Sequence, residues 1–370
     1  MTAWSQLPPE LIFKFYDYAE TIADTRCGVL VCRSWYHALT PLLYRSPVLR
    51  HADDFTILCE MLLAASDKAT EQPHPLAKHI RVLDLHAVCG TLRVIKLPEM
   101  LALLDSLQAF IAPQAALAAS TMLQLAQRPT LKLLDFAWVI ERFELPKLLN
   151  AVSRLPKLHT FRFPRCAVST VFPVNTFPQP LNELTIRGGL RDAYVTKMAS
   201  STYPTIKAAH VEVSHAPVLT GAPILDLLSR VQGLLHVTVQ WPLPRFAHNA
   251  MDTILVRLPF LKSCSLSIDY ISARFFENHH SHLEKLLLTF SGVGKTREIT
   301  AEDLLDALEN EDLWPALRTL QLVRRLQELL FPTDEELAHL ERVCAARGIN
   351  LSIIDWHEEE ETSVYGMFGH

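Results

Sequence analysis

The sequence predicts an α/β solenoid of stacked strand–helix units, and three observations predict it. First, 61 of the 370 residues are leucine and only 11 are glycine, a balance suited to stacked apolar elements joined by few tight hairpins. Second, a short apolar pattern, L-x-x-L-x-L, recurs from residue 80 nearly to the C-terminus. Third, the intervals hold amphipathic stretches with helix start and stop signals. Hydrophobic residues are 49% and charged residues 20% of the chain, which excludes a disordered protein. A net charge of −5 argues against a general nucleic-acid binder, which needs a basic face. The first thirty residues lack the basic start and apolar run of a signal peptide. The most apolar long stretch, 101–125, is interrupted by Asp105, Gln108, Gln114 and Gln124 and is too polar to span a membrane. A cytoplasmic or nuclear protein with no membrane or nucleic-acid partner is the expectation.

The repeat runs Ile80-Leu83-Leu85, Leu107-Phe110-Ala112, Leu131-Leu134-Phe136, Leu158-Phe161-Phe163, Leu181-Leu184-Ile186, Ile206-Ala209-Val211, Leu234-Val237-Val239, Leu261-Cys264-Leu266, Leu283-Leu286-Leu288 and Leu317-Leu320-Leu322. Ile349-Leu351-Ile353 reads as a closing strand. Successive starts lie 27, 24, 27, 23, 25, 28, 27, 22 and 34 residues apart, the period of a leucine-rich repeat. The final x-L-x-L alternates with period two, so it forms a short strand with one buried face. Pro98 and Pro146 read as first-turn helix prolines. Thr300 with Asp303, and Thr333 with Glu336, read as capping boxes, and Gly348 as a helix stop. The Pro164–Pro180 stretch has no helical period. No copy can bury its apolar face alone, so stacking builds one core, a horseshoe or arc over residues 80–356. Residues 357–370 read as an acidic, disordered tail, with 358–361 all glutamate.

The first fifty residues stand outside this repeat. Pro8 and Pro9 preset φ and start a helix at Glu10, whose carboxylate suits a helix N-terminus. Leu11, Ile12, Phe15 and Tyr16 make one apolar face, and Leu30, Val31, Trp35 and Leu39 a second. About forty-five residues cannot build a sufficient core, so these faces must pack on the repeats or on a partner. Leu7-Pro8-Pro9-Glu10-Leu11, paired with Val31-Cys32-Arg33-Ser34-Trp35, resembles the F-box, whose pattern is L-P-x-E-[LI] and a later V-C-[RK]-x-W. The tail from Pro41 to Leu49 is similar to the segment after the box in many fungal F-box proteins with leucine-rich repeats. Between the two motifs, Tyr18 to Gly28 is shorter and more polar than is usual in that family. The resemblance implies a small all-α F-box over 1–50, joined to the repeats by a connecting helical segment over 51–79. It also implies docking on a Skp-type adaptor, and through it a cullin, by Leu7, Pro8, Pro9, Leu11, Ile12, Phe15, Leu30, Val31, Cys32 and Trp35.

Signals for chemistry are weak. Ser291-Gly292-Val293-Gly294-Lys295-Thr296 approaches a phosphate loop, but Thr289 stands where the first glycine is required. The dense Asn278-His279-His280-Ser281-His282 lacks metal-ligand spacing and reads as a polar loop between repeats. Seven scattered cysteines without a C-x-x-C pair read as reduced, mostly buried thiols. No nucleophile or metalloprotease signature is present, so neither a catalytic role nor a cofactor or metal is expected.

Residues between the repeat leucines face the concave surface: Asp84, Ile111, Asp135, Arg162, Thr185, His210, Thr238, Ser265, Leu287 and Gln321. The richest polar stretch is central, and Arg162, Thr185, Arg187, His210, Glu212, His236, Thr238 and Gln240 are the candidate contacts to a protein substrate. Arg162, Arg187 and His236 are expected at the surface. The resemblance implies a substrate-recognition subunit of an SCF-type ubiquitin ligase. A repeat scaffold that acts without a cullin ligase is the alternative.

Overall fold

A three-residue strand with one apolar face is satisfied only beside another strand and beneath a helix. The computed structural model, which describes residues 11, 27–64, 74–88, 96–115, 117, 119–139, 145–164, 180–200, 205–240, 243–290 and 299–355, is built on that rule. Contacts divide the chain into two compact units, Met1–Ser169 with Phe177–Gln179, and Thr170–Thr176 with Pro180–His370. Each is α/β, with parallel strands in chain order.

The first unit contains α1 (Arg33–Leu43), α2 (Ala52–Ala64), β1 (Val82–Asp84), α3 (Leu97–Ala102), β2 (Ala109–Ile111), α4 (Ala119–Ala126), β3 (Leu133–Asp135), α5 (Leu145–Val152) and β4 (Thr160–Arg162). Leu83 pairs with Phe110, Phe110 with Leu134 and Leu134 with Phe161, so the four predicted copies stand in register. Phe110, Phe136, Phe161 and Phe163 are fully buried and meet with ring centroids 4.8–6.4 Å apart, within the favourable range for tilted and edge-to-face pairs. Pro98 and Pro146 each fall at the second residue of a helix, α3 and α5, where the missing N–H costs nothing. The Arg45 carbonyl accepts the Arg81 and Val82 amides at 2.9 and 3.0 Å, so the chain leaving α1 runs along β1. Helix α2, from the connecting segment, joins the helical layer, with Cys59 Sγ 3.4 Å from Met100 Sδ of α3.

The second unit contains β5 (Leu181–Ile186), α6 (Asp192–Met198), β6 (Ala208–Val213), α7 (Gly221–Leu228), β7 (His236–Val239), α8 (Ile254–Arg257), β8 (Ser263–Ser267), β9 (Lys285–Thr289), α9 (Ala301–Glu309), β10 (Thr319–Val323), α10 (Arg324–Leu330), α11 (Asp334–Ala346) and β11 (Asn350–Ile354). Both capping boxes form, at α9 and α11. Gly348 has a φ of 67°, and the Ile349 amide returns to the Cys344 carbonyl at 2.8 Å, a left-handed glycine stop. The expected register fails in one copy. Leu184 pairs with Val211 and Val211 with Val237, so the sixth copy reads Ala208-Val211-Val213 rather than Ile206-Ala209-Val211. The slip is two residues, an even number, and therefore leaves every side chain on its predicted face.

The histidine-rich stretch after β8 is partly structural. His280 is buried, with Nε2 2.9 Å from the Leu258 carbonyl and Nδ1 3.3 Å from the His282 amide. A carbonyl only accepts, so Nε2 donates and Nδ1 accepts, which fixes one neutral tautomer. Buried Asp252 accepts from the Ser272 amide and hydroxyl at 2.7 and 2.6 Å, anchoring the same connection. Cys59, Cys264 and Cys344 are buried free thiols; burial pushes Cys59 up to about 12, which keeps it unreactive. The phosphate-loop-like segment 291–296, the Pro-rich stretch 165–179 and the acidic run 358–361 lie outside the described residues. Among the described residues no helix is long and apolar enough to cross a membrane.

Candidate functional site

The strand face turned away from the core is where predicted contacts must lie, and its character differs between the units. In the first, Asp84, Ile111, Asp135 and Arg162 are in register. Asp84 and Asp135 each cap the turn after their strand, accepting the amide two residues on, His86 at 3.0 Å and Ala137 at 2.7 Å. Arg162 is 7% exposed and lies 3.2 Å from Asp135. The surface expectation for Arg162 is thus corrected: a neighbouring strand supplies its counter-ion, and both charges are buried. His86 Nδ1 lies 2.7 Å from Asp84, and that hydrogen bond holds the imidazole above the usual histidine range.

In the second unit two rows run across the strands. Glu183, His210, His236, Ser263 and Lys285 are in register in one, and Thr185, Glu212, Thr238, Ser265 and Leu287 in the next. His210 therefore belongs beside His236 rather than in the row of Thr185 and Thr238, a consequence of the two-residue slip. Glu212 is the hub of one cluster. It accepts from Arg187 at 2.9 Å and Ser214 at 2.7 Å, and Thr185 lies 3.4 Å away. Arg187, at 15% side-chain exposure, and fully buried Thr185 are interior members of this network, which corrects the surface expectation for Arg187 too.

Beside that cluster lies a groove of about 240 Å³ lined by His210, His236, Thr238, Gln240, Ser263, Ser265, Lys285 and Leu287. Four of these are predicted contacts. Ser263 and Lys285 were missed, although strand alternation from Cys264 and Leu286 places both on this face. The imidazoles of His210 and His236 meet edge to face at 6.4 Å, and His210 Nε2 lies 3.0 Å from Thr238 Oγ1. Burial, then the neighbouring His210, Lys262 and Lys285, push His236 below its ordinary range, with Glu284 opposing. Lys262 and Glu284 pair with each other at 2.9 Å. Ser265 Oγ is buried and has no hydrogen-bond partner among the described residues. Among those residues no group of three or more His, Cys, Asp or Glu is arranged to hold a metal ion. Hydroxyls, imidazoles and one lysine over a leucine floor suit recognition of a polar or anionic group.

Of the predicted adaptor contacts, Leu7, Pro8, Pro9, Ile12 and Phe15 lie outside the described residues. Leu11, Leu30 and Val31 are exposed, Leu30 at 84%. Cys32 is half-buried, and Trp35 is 5% exposed in a small cluster with Ala38 and Leu39. Trp35 therefore packs within its own segment, while Leu30 and Val31 present exposed apolar side chains.

No family model matches the chain. It is 28% identical over 304 residues to "F-box protein YDR306C" of Saccharomyces cerevisiae, covering 79% of this chain and 61% of that protein. It is also 28% identical over 228 residues to "Protein pof5" of Schizosaccharomyces pombe, covering 60% of this chain and 64% of that protein. The chain thus spans less than two thirds of the length of these relatives. A solved structure described as the crystal structure of a TLR13–ssRNA13 complex aligns with a TM-score of 0.37 at 13% identity, over 60% of this chain and 30% of that one. The similarity to a yeast F-box protein over most of the chain, joined to the paired N-terminal motifs, establishes this chain's resemblance to fungal F-box proteins.

Proposed function

We propose that this protein is a non-catalytic, substrate-recognition subunit of an SCF-type ubiquitin ligase, acting in the cytoplasm or nucleus. Its N-terminal segment docks on a Skp-type adaptor and through it a cullin, and its repeats hold a protein substrate. The observation that carries this reading is the pairing of the two F-box-like motifs with 28% identity to an F-box protein over 79% of the chain. The exposed apolar side chains of Leu30 and Val31 support it, because adjacent exposed apolar side chains suit contact with a partner. The groove on the second unit's sheet face supports the other half. The mechanism is proximity: holding substrate beside the activated ubiquitin raises their effective concentration without chemistry by this chain.

Capture of the full chain with the purified adaptor tests the reading. The wild type is expected to retain adaptor, and Leu7→Ala with Pro8→Ala to lose it while circular dichroism of the repeats is unchanged. Adaptor retained by the double variant overturns the F-box assignment. A wild-type chain that captures no adaptor favours the scaffold alternative.

A further inference from the structure

The groove beside β6 to β9 has an unbalanced charge and an unused hydrogen-bonding atom, and together they specify an occupant. Lys285 is half-buried, and among the described residues no carboxylate pairs with it. The carboxylates on this face are engaged elsewhere, Glu183 by Thr185, Glu212 by Arg187 and Ser214, and Glu284 by Lys262. Ser265, 7% exposed, lines the same groove, and its buried Oγ has no hydrogen-bond partner among the described residues. A lysine without a counter-ion and a buried hydroxyl without a partner are both satisfied by one acceptor-rich anion.

We propose that this groove binds the carboxylate side chain of a glutamate or aspartate presented by an extended peptide, with Lys285 as counter-ion and Ser265 and His236 as hydrogen-bond partners. This deepens the ligase proposal, resting on its assignment of this sheet face to a protein partner. Size supports a single side chain: about 240 Å³ falls short of the ~300 Å³ at which small-molecule sites begin. Charge supports a monoanion. A phosphate dianion is matched by several fixed cations or an arginine fork. Here there is one unpaired lysine, beside a His236 whose protonation is opposed by burial and by three neighbouring basic groups. Leu287, buried on the groove floor, gives the acidic side chain's methylenes an apolar bed.

The test is calorimetric titration of the full chain with acetylated, amidated seven-residue peptides alternating alanine with glutamate, glutamine or phosphoserine. The glutamate peptide is expected to bind about tenfold more tightly than the glutamine peptide, the size of one charge-assisted pair. Lys285→Gln should erase that preference and Ser265→Ala should reduce it. Lys197→Gln, an exposed lysine of α6, should leave it intact. Saturation with the glutamate peptide should also raise the titration midpoint of the His236 ring seen by NMR, because an anion nearby favours the imidazolium. Equal affinity for glutamate and glutamine, a preference that survives Lys285→Gln, or an unmoved His236 midpoint overturns the proposal. So does a Lys285-dependent preference for the phosphoserine peptide over glutamate. The assay contains no adaptor, so failure here leaves the ligase reading to adaptor capture, and failed capture leaves the groove to this assay.

Discussion

The two units use the same strand repeat and finish its outer face differently. In the first, strands are three residues long and β2 to β4 are buried at every position; the charges there, Asp135 and Arg162, neutralise each other at 3.2 Å. In the second, strands run four to six residues and carry half-buried polar side chains. Ser265 Oγ, Thr289 Oγ1 and Gln321 Oε1 lack partners there among the described residues. The leucine positions decide that a strand forms and which face is core. The residues between them, and what the next strand places opposite, decide whether the other face is closed or left open to bind.

The sharpest way to break this comparison is Arg162→Ala against His236→Ala. Removing one partner of a buried ion pair strands the other charge and costs about 3–5 kcal/mol. His236 is an exposed residue of β7, and its truncation should stay within about 0.5 kcal/mol. Urea denaturation of the two variants measures both. Comparable losses would mean that the first unit's outer face is as open as the second's.

Next in size are changes at the leucine positions, where the two units should agree. Leu134→Ala in β3 and Leu184→Ala or Leu286→Ala in the second unit remove fully buried side chains from equivalent positions. Each should cost about 2–5 kcal/mol and loosen the adjoining copies. A cost below about 1 kcal/mol at any of them would refute the strand register on which the comparison stands.

These contrasts also mark what the sequence made legible. Short apolar alternation and helix signals placed the strands, both capping boxes and the Gly348 stop, because each depends on neighbours within a few residues. The sixth copy slipped because Ala208 is a weak apolar signal beside Ile206, and only pairing with Leu181 settles it. Arg162 and Arg187 were misjudged for the same reason: their counter-ions, Asp135 and Glu212, lie 27 and 25 residues away in sequence on the adjacent strand. Six groove residues, His210, His236, Thr238, Gln240, Ser265 and Leu287, are readable as outward positions. Lys285 has no carboxylate partner among the described residues because neighbouring Glu284 pairs with Lys262, which no linear spacing encodes. His280 lies in the expected loop between repeats, and its burial comes from packing of the β8–β9 connection, which the sequence does not show.

The smallest predicted effect is a difference in sign. His86 is held above 6.5, first by its hydrogen bond to Asp84, so the imidazolium is favoured in the folded chain. Its stabilisation is full below 6.5 and is lost as pH rises through its folded midpoint. His236 and His280 are pushed below 6.5, chiefly by burial. Their contribution is full above 6.5 and is lost as pH falls through their folded midpoints. His280 gives this a structural reading, because both ring nitrogens are committed: Nε2 donates to the Leu258 carbonyl and Nδ1 accepts the His282 amide. Protonation at Nδ1 sets one N–H against another and must release the His282 amide. Histidine NMR titration should therefore find the His86 midpoint above 6.5 and those of His236 and His280 below it. His79, in the first unit, is also pushed down by slight burial and by Lys78 and Arg81, so resolved single-residue midpoints are needed rather than a global melt. Amide exchange at His282, corrected for its intrinsic pH dependence, should quicken as the solution is acidified below 6.5, and His86 should show no such opening. A His280 midpoint above 6.5, or His282 protection unchanged through that window, would place His280 outside the anchor of the β8–β9 connection and remove its difference in sign from His86.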